Sequence, residues 1–350
     1  MLQVRDNMQS AVVGVLALGC SALANAQEHN HESPQQDAHQ HHEMTATQST
    51  HVHHMHSEGM WMFEYNFMRM NMKDLMSGTT SVTAERALDN GRYVNPNGDT
   101  YLMLPSEMTM DMHMLMAMYS FTDRLSAMVM LNYLDNDMDM IMAGMTMGMT
   151  SSGLGDTEIG LMYSFDTQSE WNVVGSLNVS LPTGSIDEKG DSMGTEVVLP
   201  YDMQLGSGTF DLKPSVTASL KRGKFEWGGQ GTYTLRLGDN DQDYNLGDRF
   251  ELVGYGKYAV NNGVSLRGAL TYLDWSSIEG SDKRITDLRT SDNVPTNYGG
   301  TRLDASLGVM LTFGAHTVGA EGAIPVMQDL NGLQMETENT ISLSYSFMFM

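Results

Sequence analysis

Methionine recurs at every second position in the first half of this 350-residue chain, and 21 of the 33 methionines fall between residues 60 and 149. A period of two is the side-chain period of an extended strand, so these thioethers share one face of a sheet. The thioether is a soft ligand that suits Cu(I). We therefore predict that this face binds soft metal ions. The predicted ligands are Met62, Met68, Met70, Met72, Met108, Met110, Met112, Met114, Met116, Met118, Met128, Met130, Met138, Met140 and Met142.

A second group of candidate ligands lies in residues 27–58, a polar segment without aromatic residues that holds nine of the eleven histidines. Such a composition cannot bury a core, so we predict a disordered tail. Histidine-rich tracts indicate metal capture, and Met44 and Met55 among them favour copper. A tail that serves only solubility is the alternative. The predicted ligands are His29, His31, His39, His41, His42, His51, His53, His54 and His56.

The N-terminus has the features of an export signal. Arg5 precedes the apolar stretch 11–23, and Ala24-Asn25-Ala26 is a small-x-small cleavage site, so residues 1–26 are predicted to be a signal peptide. A retained anchor helix and lipidation at Cys20 are the alternatives. Cleavage after Ala26 removes the only cysteine, which leaves methionine and histidine to carry any soft-metal chemistry.

Composition and motifs restrict the function further. The chain has 43 acidic against 19 basic residues and a net charge of -24, which repels nucleic acid and favours cations. No HExxH, GxSxG, Walker or dinucleotide motif is present, and His113 and His316 are isolated in the sequence. We therefore predict no enzymatic activity, no nucleic-acid partner and no required cofactor.

From residue 59 onward, short alternating runs indicate strands with one apolar and one polar face. Trp61, Phe63 and Tyr65 oppose Met62 and Glu64, for example. Runs of about ten residues of this kind are the signature of a transmembrane β-barrel. A soluble β-sandwich is the alternative, but the export signal and the aromatic last strand, 341–350, favour the barrel. The predicted fold is all-β: an antiparallel transmembrane β-barrel of about 12 strands, an even number, over residues 59–350.

Polar and glycine-rich stretches predict the connections between these strands. Short turns are expected at 121–124, 166–170, 206–208, 261–263 and 314–315. Longer loops are expected at 73–100, 182–195, 276–302 and 327–338.

The neighbours of the methionines predict which way their side chains point. In the first strand they share a face with Glu64 and Asn66, and burying such groups against hydrocarbon is costly. That face should therefore line the lumen. In the run 108–118 the first half is expected to project beyond the membrane. Flexible apolar filling of the interior is the alternative role for methionine.

Several turn motifs, taken in their order along the chain, resemble the family of the MetA pathway of phenol degradation. They are Met108-Thr-Met-Asp-Met112, Tyr119-Ser-Phe-Thr-Asp-Arg124, Gly153-Leu-Gly-Asp156, Leu181-Pro-Thr-Gly184, Leu205-Gly-Ser-Gly208, Gly299-Gly-Thr-Arg-Leu-Asp304, Glu321–Pro325 and Leu330-Asn-Gly-Leu333. The resemblance covers residues 60–350 and implies a Gram-negative outer-membrane barrel that transports a solute. The methionine and histidine content also resembles that of outer-membrane copper-resistance proteins, in composition only.

Together these features predict an outer-membrane channel that handles copper-like ions, Cu(I), Cu(II) or Ag(I), through lumenal methionines and the histidine-rich tail. The expected partners are outer-membrane lipid, metal ions or a small solute, and periplasmic metal carriers. Two alternatives stay open. One is a general channel for small organic, including aromatic, molecules, and the other is a barrel that binds metal at the envelope without conducting it.

Overall fold

The computed structural model describes residues 55–89, 91–165, 170–192 and 194–350. The predicted signal peptide, residues 1–26, and residues 27–54 of the predicted tail lie outside the described residues. Among the described helices, none combines the length and the hydropathy that crossing a bilayer requires.

Strands make up nearly all of the regular structure. They are β1 (Trp61–Gly78), β2 (Thr80–Val82), β3 (Met103–Thr122), β4 (Leu125–Met142), β5 (Met145–Leu154), β6 (Thr157–Phe165), β7 (Trp171–Leu181), β8 (Lys189–Ser192), β9 (Thr195–Val198), β10 (Asp211–Arg222), β11 (Phe225–Arg236), β12 (Tyr244–Asn245), β13 (Arg249–Asn261), β14 (Val264–Trp275), β15 (Glu279–Gly280), β16 (Gly300–Phe313) and β17 (His316–Phe349). Among the described residues, one helix, α1 (Ala84–Asp89), and the 3₁₀ turns Tyr201–Met203, Ser291–Asn293 and Pro295–Asn297 lie in the connections.

Eleven of the described strands close into an antiparallel barrel in the order β1-β3-β4-β6-β7-β10-β11-β13-β14-β16-β17, and β17 pairs back to β1. β5 continues the wall beside the outer part of β4, and β2 pairs with the end of β1. The pairs β8–β9 and β12–β15 form separate small sheets. Closure satisfies every strand edge, which a sheet in hydrocarbon requires.

β17 supplies two neighbouring segments of the wall. Residues 316–330 pair with β16, and residues 330–349 pair with β1. The chain reverses near Gly332, whose φ of 60° suits a residue without a side chain. The Met348 amide donates a hydrogen bond to the Ala315 carbonyl at 3.0 Å, so the two ends of β17 meet at one edge of the barrel. The wall therefore contains twelve antiparallel segments, which agrees with the even number predicted.

The connections differ between the two edges of the barrel. Tight turns after β3, β10, β13 and β16 lie at one edge, here called the short-turn end; the longer connections lie at the other, the long-loop end. Short turns face the periplasm in bacterial outer-membrane barrels. The turns predicted at 121–124, 261–263 and 314–315 are confirmed.

Two of the predicted connections are wrong. Residues 206–208 do not form a tight turn but lie within the long connection from β7 to β10. Gly206 packs there against Gly184, where a side-chain carbon would lie 2.5 Å from the Gly184 carbonyl oxygen. The stretch 327–338 is not a free loop either. It forms the tip of the doubled β17, where Gln328 Nε2 donates to the Thr337 carbonyl at 2.9 Å. In both places long-range contacts decide the conformation of polar, glycine-containing sequence.

The side chains alternate between an apolar exterior and a packed interior. Leu115 and Leu307 are 57% and 77% exposed on the outer face, whereas Met62 and Met116 are 1% and 5% exposed on the inner face. On β1 and β3 the outer apolar belt ends at an ion pair between Arg69 and Asp111, whose Nη2 and Oδ2 atoms are 2.5 Å apart. Beyond this pair the wall continues towards the long-loop end.

Candidate functional site

All fifteen predicted methionine ligands lie on strands β1, β3 and β4, which form the wall of one side of the lumen. Their positions alternate with outward-facing residues, so the predicted lumenal orientation is confirmed by the burial of this face. We call β1, β3, β4 and β5 with their inner methionines the methionine half. Three of its strands are long, since β1 and β4 have 18 residues and β3 has 20, whereas β5 has 10.

Nearest the short-turn end, methionines pack into a lower cluster that also contacts Val174. Its buried methionines are Met62, Met68, Met114, Met116, Met118, Met128, Met130 and Met162, and Met55, Met112 and Met348 pack against it. The register of the strands explains the clustering, because Met62 is paired with Met348 on β17 and with Met118 on β3. Met118 is paired in turn with Met128 on β4. Four methionines therefore form one continuous cross-strand row.

Towards the long-loop end lies an upper cluster. Its buried members are Met108, Met138, Met140, Met149, Leu199 and Met203, with Met72, Met103, Met110 and Met335 packed against them. A second row runs through it, since Met72 is paired with Met108, Met108 with Met138, and Met138 with Met149. Met70 is likewise paired with Met110, and Met142 with Met103.

Directly opposed residues of neighbouring strands have Cβ atoms roughly 4.5–5.5 Å apart. A methionine side chain has three rotatable bonds, so neighbouring thioethers in a row can turn towards one ion. The rows thus bring soft donors from three or four strands to the same level of the lumen. Among the described residues, no group of three or more His, Cys, Asp and Glu side chains is placed to hold a metal ion.

The end of the predicted tail lies against the lower cluster. His56 is 4% exposed, and the Met55 sulfur accepts a hydrogen bond from Ser126 Oγ at 3.8 Å. Ser126 is fully buried near the turn between β3 and β4. The described end of the tail, residues 55–58, therefore lies at the short-turn end. The other eight predicted tail ligands, His29, His31, His39, His41, His42, His51, His53 and His54, lie outside the described residues.

Four methionines of these clusters carry no strong signal in the sequence. Met203 belongs to a 3₁₀ turn, Met335 lies at the tip of β17, Met348 lies in the last strand and Met162 is a single methionine on β6. None of them is part of a long alternating run. Only the closure of the barrel and the folding of the loop containing Met203 onto the wall bring them to the site.

The acidic residues near the upper cluster lie on the other face of the wall. Asp135 and Asp137 are exposed and alternate with the buried Met138 and Met140 of the same strand. Their carboxylates are therefore not ligands of a lumenal ion. They contribute through the negative potential around the rim, which attracts cations.

The opposite wall, β10, β11, β13, β14, β16 and the first segment of β17, is held by ion pairs, and we call it the polar half. Arg267 Nη1 lies 2.6 Å from Glu321 Oε2, and the two side chains are 0% and 4% exposed. Further pairs join Arg249 to Glu251, Arg302 to Asp304 and Arg236 to Asp211, and Lys213 bridges to Glu158 on β6. Met310 is a buried inner-face methionine in this half.

Loops from both halves meet at the long-loop end. The turn Tyr201–Met203 packs Met203 on the upper cluster, and Ser151 Oγ donates to its carbonyl at 2.7 Å. Burial raises the pKa of the neighbouring Asp202 to about 7. Burial and the charge of Asp202 raise the pKa of Asp292 well above its usual range. Tyr298 contacts both residues, since its hydroxyl donates to the Asp292 carbonyl at 2.7 Å and hydrogen-bonds to the Asp202 side chain.

Residues 120–284 match the family model described as "Putative MetA-pathway of phenol degradation". This match confirms the resemblance indicated by the turn motifs. A comparison with curated protein sequences gives no match.

Among solved structures, the barrel is similar to an outer membrane channel from Pseudomonas putida F1, with a TM-score of 0.58 and 13% identity over 83% of this chain and 96% of that one. The TodX monoaromatic hydrocarbon channel has a TM-score of 0.47 and 10% identity, over 83% and 91% of the two chains. The β domain of the Bordetella autotransporter BrkA has a TM-score of 0.46 and 12% identity, over 83% and 100%. The fold is that of an outer-membrane β-barrel.

Proposed function

We propose that this outer-membrane barrel is a channel that passes soft metal ions, Cu(I) or Ag(I), along the methionine half of its lumen. The observation that carries the proposal is the pair of cross-strand rows, Met348–Met62–Met118–Met128 and Met72–Met108–Met138–Met149. Each row sets thioethers of neighbouring strands side by side on a buried inner face. Side chains that only fill the interior of a barrel must be apolar and of the right volume, but they need not carry a sulfur atom at every level of the wall.

The chemistry of the thioether suits conduction of such an ion. Sulfur donors select soft ions over Mg²⁺ or Ca²⁺, which prefer oxygen. One thioether binds weakly, whereas two or three within reach of one ion make a usable site. Several sites of modest affinity in series allow an ion to enter and also to leave, which conduction requires.

The histidine-rich tail supports the same proposal, because it would collect ions where the lumen opens. Met55 packs against the lower cluster, and residues 27–54 precede it directly in the sequence. The tail would take ions from periplasmic carriers and raise their concentration at the short-turn end.

Two other functions are supported by particular observations. The family description names phenol degradation, and a neutral thioether surface also suits small apolar molecules such as aromatic compounds. A metal store without conduction is supported by the segments that pack onto the lumenal methionines near both ends, Met55–His56 and Leu199–Met203.

Metal binding tests the proposal at its base. The full chain with its tail histidines replaced by Asn is titrated with Cu(I) against a competing chromogenic chelator. A second variant also carries Leu at the lower-cluster residues Met62, Met114, Met116, Met118, Met128 and Met130, and the matched control carries only Met310→Leu. We expect several Cu(I) ions per chain in the parent and in the control, and at least two fewer in the six-site variant. Equal binding in all three would make the methionines packing residues.

Conduction separates the three functions. In a planar bilayer, a soft-metal channel carries a Ag(I) current that the six-site variant lowers, and a store binds Ag(I) without current. A general channel passes phenol into liposomes at the same rate with or without the six substitutions, and binds no Ag(I) in its lumen.

A further inference from the structure

Asn66, on the inner face of β1, is an unusual side chain in this lumen. It is 1% exposed, and within the described part of the chain neither its Oδ1 nor its Nδ2 atom has a hydrogen-bond partner. Buried polar atoms are normally paired, and each exception requires an explanation. Neighbouring lumenal amides pair one of their two atoms: Asn178 Nδ2 donates to Glu158 at 2.7 Å, and Asn132 Nδ2 donates to the Asp156 carbonyl at 2.9 Å, while only their Oδ1 atoms lack a partner in the described structure.

The surroundings of Asn66 consist mainly of thioethers. Asn66 is paired with Met114 on β3, and the next inner position on β1 towards the long-loop end is Met68. In the other direction lies Glu64, 7% exposed, which is paired with Met116. An amide with two unpartnered atoms thus lies between methionines, one inner position from a carboxylate.

The donor set fits a soft monovalent cation. Thioethers are neutral, so a cation held by sulfur alone in a buried site keeps an uncompensated charge, which is strongly unfavourable. A neighbouring carboxylate offsets that charge. The amide Oδ1 adds an oxygen ligand without a further charge that would hold the ion too tightly to leave.

We propose that Asn66 Oδ1, together with the sulfurs of Met114 and Met116, forms the tightest Cu(I) or Ag(I) site of the lumen, and that Glu64 supplies its charge. This inference rests on the proposed function. It identifies the site in the methionine half at which a cation is favoured over a neutral solute. The other rows are then weaker sites on either side of it.

The test compares Asn66→Leu and Glu64→Gln with Ser306→Ala in the full chain with its tail histidines replaced by Asn. Ser306 is the matched control, because its buried Oγ also has no partner in the described structure but it lies in the polar half. Ag(I) binding is measured by calorimetry, and urea unfolding of each variant is measured alongside. We expect Asn66→Leu and Glu64→Gln each to weaken Ag(I) binding at the tightest site at least tenfold without changing the weaker sites. Ser306→Ala is expected to bind Ag(I) like the parent.

Unchanged tight binding in a folded Asn66→Leu protein would overturn the inference and assign the amide to packing or to a bound water. If Asn66→Leu does not fold, Asn66→Gln decides: the longer amide is expected to keep Ag(I) binding within threefold while Glu64→Gln loses it. If the parent binds no Ag(I) in its lumen, the proposed function itself fails. If the parent binds Ag(I) and Asn66→Leu binds it equally well, only the assignment of this site fails.

Discussion

The two halves of the lumen have the same backbone architecture but opposite chemistry. The polar half holds its charges in pairs, and Arg267 with Glu321 is almost completely buried. The methionine half places neutral sulfur at successive levels of β1, β3 and β4. Groups that satisfy each other stabilise the wall and have little capacity left for a solute. Thioethers that only pack on each other keep their lone pairs for a ligand, so this difference supports the proposal that one half gives mechanical support and the other binds the solute.

The largest expected effect comes from breaking the ion pair of the polar half. Glu321→Leu leaves Arg267 charged without its carboxylate in a buried position, which costs about 3–5 kcal/mol. Denaturant unfolding followed by tryptophan fluorescence measures this loss. In the methionine half, Met116→Leu is expected to cost less than about 1.5 kcal/mol, because it nearly conserves volume.

The double variant Arg267→Met with Glu321→Leu is the control for that experiment. Removing both charges is expected to restore most of the lost stability. If Glu321→Leu and Met116→Leu destabilise the barrel equally, the division into a supporting and a binding half is wrong.

The next effect concerns the seam where loops of the two halves meet. The raised pKa values of Asp202 and Asp292 mean that the packed loop favours the protonated acids. Its stabilisation is present below the ordinary pKa of an aspartate and is lost as pH rises through about 7. We expect the protection of residues 199–205 from hydrogen exchange to fall about tenfold between pH 5 and pH 8, after correction for the intrinsic rate.

The double variant Asp202→Asn with Asp292→Asn keeps both side chains neutral at every pH and should make the protection nearly independent of pH. Asp287→Asn is the matched control, because Arg289 lowers the pKa of Asp287 and its titration lies below this range. A pH dependence that survives in the double variant would exclude these two carboxyls as its cause.

The rate at which peroxide oxidises individual methionines, with and without Ag(I), tests whether the methionine half binds the metal. Peroxide converts a thioether to a sulfoxide, and an ion bound to the sulfur blocks the reaction. Saturating Ag(I) is expected to slow the oxidation of Met62 and Met118 about tenfold. Met310 in the polar half and the exposed Met327 should react at the same rate with and without metal, as peptide mass spectrometry can show. Equal protection of all four would indicate a global effect of the metal on the fold.

The smallest effect is expected outside the lumen. Arg69 and Asp111 form a two-pronged pair on the outer face, but Arg69 is 47% exposed. Such a pair contributes about 0.2–1 kcal/mol and is screened by salt. Arg69→Gln should therefore lower the unfolding free energy slightly in low salt and not at all in 1 M salt. A loss as large as that of Glu321→Leu would show that the outer face also carries structural ion pairs.

Much of the fold was accessible from the sequence because a strand in a barrel wall has only two faces. The period of two in the runs around Phe63 and Met116 assigned each residue to lipid or lumen, and the structure confirms that assignment. The doubled β17 and the packing of Gly206 on Gly184 were not predicted. Glycine and polar residues favour turns locally, and the contacts that extend or bury them are made by segments distant in the sequence.

The sequence by itself determined the barrel, its orientation of methionines and the existence of a soft-ligand surface, because these depend on local alternation along each strand. The tertiary structure decided which methionines become neighbours. Strand register and closure aligned Met62 with Met118 and Met348, the loop fold added Met203, and the same register placed Asn66 among thioethers. Register is a relation between strands, and no single strand's sequence contains it.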